Sequence, residues 1–132
     1  MEFKSHARFR DADPIGILFF ARAYELAHDA YEDLVRALGF SYREWFENET
    51  WGVPIRKSEC EHLRPIRPGD EIVVKTKIES LGESSFTSSF EIIAAGQVAS
   101  VVKITHVFMD TATKKKMAIP SSVRGRLESH QR

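Results

Sequence analysis

The residues of this chain best suited to chemistry are two carboxylates in one short stretch. Positions 10 to 20 read Arg-Asp-Ala-Asp-Pro-Ile-Gly-Ile-Leu-Phe-Phe and stand directly before a long amphipathic segment. Pro14 fixes its own φ, carries no backbone N–H and biases Asp13 away from helical geometry, which holds the Asp13 carboxylate just outside the helix. Gly16 permits a positive φ or a close approach to its backbone, and the first N–H groups of a helix can serve oxygen atoms carrying negative charge. A carboxylate facing amide donors suits acyl chemistry. The residues alone leave a second reading open, in which Asp11 and Asp13 only turn and cap the chain, as Asp often does before helices.

Other reactive side chains are more scattered. Glu25, His28, Asp29 and Glu32 recur along the long helix at spacings that make either an acid–base cluster or a solvated charged face. Cys60 and His62 share one face of an expected strand, yet no spacing supplies a zinc ligand set, so no metal is expected and Cys60 reads as a small buried residue. Lys114, Lys115 and Lys116 occupy a polar hairpin tip, and Arg56, Arg64 and Arg67 gather around a Pro-rich turn. Either group could meet an anion, with solvated turn residues as the alternative. His106 reads as a core or interface residue, and Arg124 and Arg126 stay unassigned.

The totals narrow the classes of function. A chain of 132 residues with 42% hydrophobic content and nine Phe fits one domain, residues 1–132, with one ordinary core. Lys+Arg and Asp+Glu both number 19, so the formal net charge is zero and neither a nucleic-acid groove nor a membrane-seeking surface is expected. The single cysteine excludes an internal disulfide, and Met-Glu-Phe-Lys-Ser-His lacks the apolar run of a signal peptide. No apolar stretch approaches the roughly 20 residues that span a bilayer. A cytoplasmic protein is the expectation.

Periodicity then supplies the elements that must position Asp13. Residues 3 to 9 alternate with a period of two, which predicts a strand. From Phe20 to Leu38 a helix follows, with a buried stripe at Ala23, Ala27, Tyr31, Leu34, Val35 and Leu38. Gly39 is its expected left-handed cap, and Ser41 with Glu44 forms a capping box for a brief second helix carrying Tyr42, Trp45 and Phe46. Strands are predicted over Val53–Leu63, around Ile72–Ile78, around Phe86–Ile92 and over Gln97–Met109, the last being longest and central, with both faces covered. Pro68-Gly69-Asp70 is a turn, Met117–Ile119 an extended piece, and Pro120–Leu127 one helical turn or two. Strands joined by short turns after the helices indicate an α+β fold, a helix on a mainly antiparallel sheet. One helix covers only one sheet face, so the other face or a sheet edge is expected to meet a second copy.

Taken together, these residues resemble a known family. Asp11-Ala-Asp13-Pro-Ile-Gly16-Ile-Leu-Phe-Phe20 before a long helix, Pro65 with Pro68-Gly69-Asp70-Glu-Ile, and Val107-Phe-Met-Asp110 with Ala118-Ile-Pro120 look like the hot-dog-fold acyl-CoA thioesterases of the 4-hydroxybenzoyl-CoA thioesterase type, over most of the chain. The resemblance implies a hot-dog fold, a homodimer or homotetramer, an acyl-CoA substrate and no cofactor. It implies that Asp13 is the catalytic carboxylate, attacking the thioester carbonyl or activating a water, and that the backbone amide around Phe20 polarises the thioester oxygen. Gly16, Phe19 and Tyr24 are the implied substrate contacts, and Lys114 and Lys115 the implied contacts to the coenzyme A phosphates. Many relatives carry Tyr-His near position 20 and Asn-Tyr or Ser-Tyr shortly after, whereas this chain has Phe19-Phe20-Ala21-Arg22-Ala23, giving a more apolar mouth. Another hot-dog subgroup uses a carboxylate on the helix, which makes Glu25 the second candidate. The rival functions are a non-catalytic hot-dog subunit that binds an acyl ligand or acyl carrier, and a hot-dog dehydratase. Phe19, Phe20, Tyr24 and Trp51 are compatible with an aryl or an aliphatic acyl group.

Overall fold

The computed structural model describes residues 1–131. In chain order the elements are β1 (Glu2–His6), a 3-10 turn at Phe9–Asp11, α1 (Arg22–Ala37), α2 (Tyr42–Phe46), β2 (Trp51–Gly52), β3 (Ile55–His62), β4 (Glu71–Leu81), β5 (Ser85–Ala94), β6 (Gln97–Val107), β7 (Met109–Asp110) and α3 (Ser121–Glu128). Five strands form one antiparallel sheet in the order β1-β4-β5-β6-β3, and β2 pairs with β7. Helix α1 packs across one face of this sheet, as the α+β hot-dog expectation requires. Among the described residues no helix is long and apolar enough to cross a membrane.

The helix is specified locally. Ala23, Ala27, Ala30, Tyr31, Leu34 and Val35 recur every three or four residues and are all buried, and full burial of Leu34 or Val35 contributes about 1.5–3 kcal/mol each. Gly39 (φ +93) stops it. The Gly39 N–H donates to the Arg36 carbonyl and the Phe40 N–H to that of Val35, a Schellman cap that satisfies carbonyls the helix leaves over. Ser41 and Glu44 then exchange both capping-box hydrogen bonds at the start of α2.

Three boundaries differ from the sequence expectation. Strand β1 ends at His6, and Phe9, the last residue of the predicted strand, is 88% exposed in the 3-10 turn. Helix α1 begins at Arg22 because the Phe19 N–H is held by the Asp11 carbonyl, which keeps residues 19 to 21 in a turn. Strand β6 ends at Val107 and matches β4 in length, while β5 is the middle strand and β6 lies next to the β3 edge. The sequence alternation places Val98 on the same face as Val102, Ile104 and Phe108, and a bulge breaks this pattern. Ile92 pairs with Ser100 and Ile93 with Val98, so Ala99 is an extra residue and Val98 drops to the half-buried outer face.

Residues Ser100, Val102, Ile104 and His106 form the inner row of β6, and the buried Phe108 lies just past its end. His106 is a core residue, its ring stacked on Tyr31 at 4.4 Å and on Phe86 at 5.2 Å, while the Tyr31 hydroxyl accepts a hydrogen bond from Trp45 Nε1 at 2.7 Å. Burial, and secondarily the nearby His28, push the His106 imidazole down to about 4 from its ordinary value near 6.5. The unfolded chain therefore takes up a proton on His106 before the folded chain does. Stability contributed by the neutral imidazole is complete above about pH 6.5 and is lost as pH falls through about 4, with a total of about 3 kcal/mol. Urea midpoints should accordingly fall more steeply between pH 6.5 and 4 for the wild type than for His106→Phe, which fills the same stack without a titrating group.

Candidate active site

The chain around Asp13 is a small hairpin tied down at every step. Ala12 and Leu18 form a bridge, the Asp13 N–H donates to the Ile17 carbonyl at 2.8 Å, and the Gly16 N–H donates to the Asp13 carbonyl at 2.9 Å. Gly16 closes this turn at φ +88, in the left-handed region that a side chain disfavours. Leu18 fastens the hairpin to the loop between β3 and β4 by donating its N–H to the Ile66 carbonyl at 2.6 Å. Within the turn Asp13 Oδ1 accepts the Ile15 N–H at 2.8 Å and, at 3.4 Å, that of Ile17. Its Oδ2 has no hydrogen-bond partner among the described residues. One carboxylate oxygen is anchored and the other is available.

Asp11 does different work. Its Oδ2 accepts the Arg8 N–H at 3.0 Å, its Oδ1 lies 3.9 Å from Arg22 Nε, and its carbonyl accepts the Phe19 N–H at 2.7 Å. Arg22 also donates from Nη1 to Glu25 Oε1 at 2.6 Å. The guanidinium thus links the hairpin to the first turn of α1, and Glu25, the second candidate for catalysis, is engaged in that link. His28 faces Glu32 at 3.8 Å on the exposed side of the helix. The Asp29 carboxyl is raised above its ordinary value mainly by burial, with Glu32 adding to it. These helix carboxylates lie outside the cleft that holds Asp13.

That cleft measures about 730 Å³ and is lined by Asp13, Pro14, Ile17, Leu18, Phe19 and Phe20 on one side and by His62, Leu63, Arg64, Pro65, Ile66 and Ser100 on the other. Among the described residues the backbone N–H groups of Phe20 and Ala21 have no hydrogen-bond partner, so the start of α1 presents free donors beside the cleft. The far wall is set by the β6 bulge: the Ala99 carbonyl accepts the N–H groups of both Leu63 and Arg64, at 2.8 and 3.0 Å, and turns the chain out of β3 along the cleft. Pro68-Gly69-Asp70 makes the expected turn beyond it, with the Arg67 N–H on Asp70 Oδ2 and Gly69 at φ +92.

The structure gathers some of the expected site residues and separates others. Asp13, Phe19 and Phe20 line the cleft with Gly16 at the turn between them, and Arg64 joins them from the group of arginines considered for anions. Tyr24 packs partly against the core and faces the shallow surface of Glu25, His28 and Asp29 instead. Trp51, offered as a pocket residue, is 8% exposed and packs on Trp45 and Phe108, because the short β2 folds it inward against the core. Lys114 (φ +60) and Lys115 sit in the turn after β7, beyond the C-terminal end of β6, whereas the cleft lies near its N-terminal end at Ser100. Within one chain these lysines do not reach it. Arg124 donates to the Gly82 carbonyl, and Arg126 donates to that of Leu38 and lies 4.5 Å over the Phe40 ring, so both serve the fold. The sequence reading considered His62 only as a metal ligand and did not name Ser100; the bulge at Ala99 that sets their wall leaves no short-range signal. Among the described residues no group of three or more His, Cys, Asp or Glu could hold a metal ion.

The chain is similar to known proteins in both sequence and fold. The sequence profile of the thioesterase-like superfamily matches residues 7–127. A 1,4-dihydroxy-2-naphthoyl-CoA hydrolase of Nostoc punctiforme is 27% identical over 125 residues, covering 95% of this chain and 84% of that protein. The hydrolase of the same description from Synechococcus elongatus is 25% identical over 128 residues, covering 96% and 94%. Among solved structures, a gentisyl-coenzyme A thioesterase superposes with a TM-score of 0.84 at 26% identity, covering 96% of this chain and 99% of the other. A 1,4-dihydroxy-2-naphthoyl-CoA thioesterase from Synechocystis superposes with a TM-score of 0.88 at 19% identity, covering 99% and 97%, which speaks for the fold alone.

Proposed function

Because this chain belongs to the thioesterase-like superfamily and is an acyl-CoA thioesterase, we propose that Asp13 is its catalytic carboxylate and that the amides at the start of α1 receive the thioester oxygen. The observation that carries this reading is the state of Asp13: half-buried in the cleft, with Oδ1 fixed by the Ile15 N–H and Oδ2 uncommitted. Such a carboxylate has little freedom to lose before it acts. It either attacks the thioester carbonyl, expelling coenzyme A as thiolate and forming an anhydride that water then hydrolyses to the free acid and the restored carboxylate, or takes a proton from a water that attacks the carbonyl and expels the same thiolate. Charge develops on the carbonyl oxygen in both routes, and the unpaired N–H of Phe20 is the nearest donor in sequence to the cleft's apolar mouth. Thiolate is a good leaving group, so a carboxylate and an oxyanion site suffice without a Ser-His-Asp triad.

The acyl group we assign is a hydroxylated aromatic ring. Phe19, Phe20, Leu18 and Ile66 give the cleft flat apolar surface, and the relatives act on 1,4-dihydroxy-2-naphthoyl-CoA and gentisyl-CoA. The chain works as a homo-oligomer in this reading. Strand β3 is a sheet edge, and Ile55 and Leu63 at its ends and Phe9, Ile15, Phe19 and Phe20 near the cleft are exposed apolar side chains that a second copy would cover. Thiol release from short aliphatic, long aliphatic, benzoyl and hydroxylated aryl CoA esters, with the product weighed by mass spectrometry, tests the function. Free acid plus coenzyme A, fastest with the hydroxylated aryl esters, is expected. A product that keeps its thioester would indicate a dehydratase, and no turnover of any ester would indicate a binding subunit.

A further inference from the structure

The wall of the cleft opposite Asp13 carries polar groups that the proposed chemistry leaves unused. His62, the last residue of β3, pairs directly with Ser100 in the β6 register. Ser100 is buried, and its Oγ lies 3.4 Å from the Nδ1 of the exposed His62, while Cys60 Sγ lies 3.5 Å from Nε2 and 3.9 Å from Nδ1. One ring nitrogen is thereby referred to a fixed buried hydroxyl. The Cys60 sulfur lies within 4 Å of both ring nitrogens and so sits against the ring, which leaves Nε2 without a strong hydrogen-bond partner. Burial raises the Cys60 thiol, so it stands there as neutral S–H rather than as a competing thiolate. Apart from Asp13 and the rim residue Arg64, His62 and Ser100 are the polar side chains of a cleft otherwise lined by proline, leucine, isoleucine and phenylalanine. In a mostly apolar pocket, a few convergent polar groups fix ligand orientation and set selectivity.

We propose that His62, oriented by Ser100, is a specificity-determining residue that hydrogen-bonds a hydroxyl of the acyl group, selecting hydroxylated aromatic acyl groups over the unsubstituted ring. This rests on the acyl-CoA reading of the cleft and adds to it the group that recognises the ring. His62 is exposed, so without a ligand hydroxyl its ring returns to solvent, and the discrimination is the net worth of one hydrogen bond, about two- to tenfold or about 0.5–1.5 kcal/mol.

The test compares gentisyl-CoA with benzoyl-CoA, which differ only in hydroxyl groups, in the wild type, His62→Ala, His62→Gln and Ser100→Ala, each checked for an unchanged melting transition. The ratio of kcat/KM for the two esters should fall by about two- to tenfold in His62→Ala, recover in part in His62→Gln, whose amide still hydrogen-bonds, and fall by a smaller factor in Ser100→Ala. An unchanged ratio in His62→Ala overturns the proposal. Calorimetric titration of free gentisate and benzoate provides a readout independent of turnover. Tighter binding of gentisate that disappears in His62→Ala supports the assignment even if no ester is hydrolysed, a result that would sink the catalytic reading alone. Equal selectivity in wild type and variant overturns the role of His62 whatever the activity.

Discussion

Asp13→Asn should reduce kcat by about 10²–10⁴-fold, the range associated with a positioned acid–base group, while leaving the fold intact. The asparagine Oδ1 can still accept the Ile15 N–H that shapes the turn at 2.8 Å, and the hairpin's backbone bonds from Asp13 to Ile17 and from Gly16 to Asp13 do not involve the side chain. What disappears is the charge, and with it either the nucleophile or the base. Stopped assays for thiol release together with a thermal melt check both halves of this expectation: activity gone, transition retained. A variant as active as the wild type would remove Asp13 from the chemistry.

The second large effect concerns a backbone atom. Phe20→Pro deletes the N–H proposed to face the thioester oxygen, and loss of one preorganised donor costs about 10²–10³ in kcat. Proline is tolerable here because the Phe20 N–H has no partner among the described residues, and because the residue before it, Phe19, belongs to the hairpin rather than to the helix. The Phe20 carbonyl, which accepts the Ala23 N–H at 3.3 Å, is kept. Phe20→Ala retains the donor and removes only the ring, so its effect should fall on KM more than on kcat. If Phe20→Pro and Phe20→Ala are alike in kcat, the amide is not the oxyanion donor.

Local chemistry made much of this legible in the sequence. Pro14 and Gly16 announce a turn, Gly39 and Ser41–Glu44 announce the ends of helices, and the period of the small and apolar residues in α1 announces its buried stripe. All of these act within a few residues of each other. The parts that escaped are those made by distant segments. The bulge at Ala99 changes which side of β6 Val98 occupies and turns Leu63 and Arg64 along the cleft, and nothing in the local alternation announces it. The pairing of His62 with Ser100 spans two strands that are neighbours only because β3 joins the sheet at its far edge. Likewise, the resemblance implies Lys114 and Lys115 as phosphate contacts, but strand order puts them past the opposite end of β6 from the cleft within one chain. Asp11 and Asp13 show the same limit at short range. Their spacing treats them alike; the resemblance singles out Asp13, and the paths of Arg22 and of the hairpin show how the surroundings of the two carboxylates differ.

That separation offers the sharpest comparison. Thiol release from one hydroxylated aryl CoA ester, measured side by side for the wild type, Asp13→Asn and Asp11→Asn, asks whether the two carboxylates differ as their surroundings do. The predicted result is hydrolysis by the wild type, a loss of two orders of magnitude or more in Asp13→Asn, and a markedly smaller loss in Asp11→Asn accompanied by a lower melting temperature. Equal rates for wild type and Asp13→Asn, or a larger loss in Asp11→Asn than in Asp13→Asn, would contradict the assignment of Asp13 as the catalytic carboxylate.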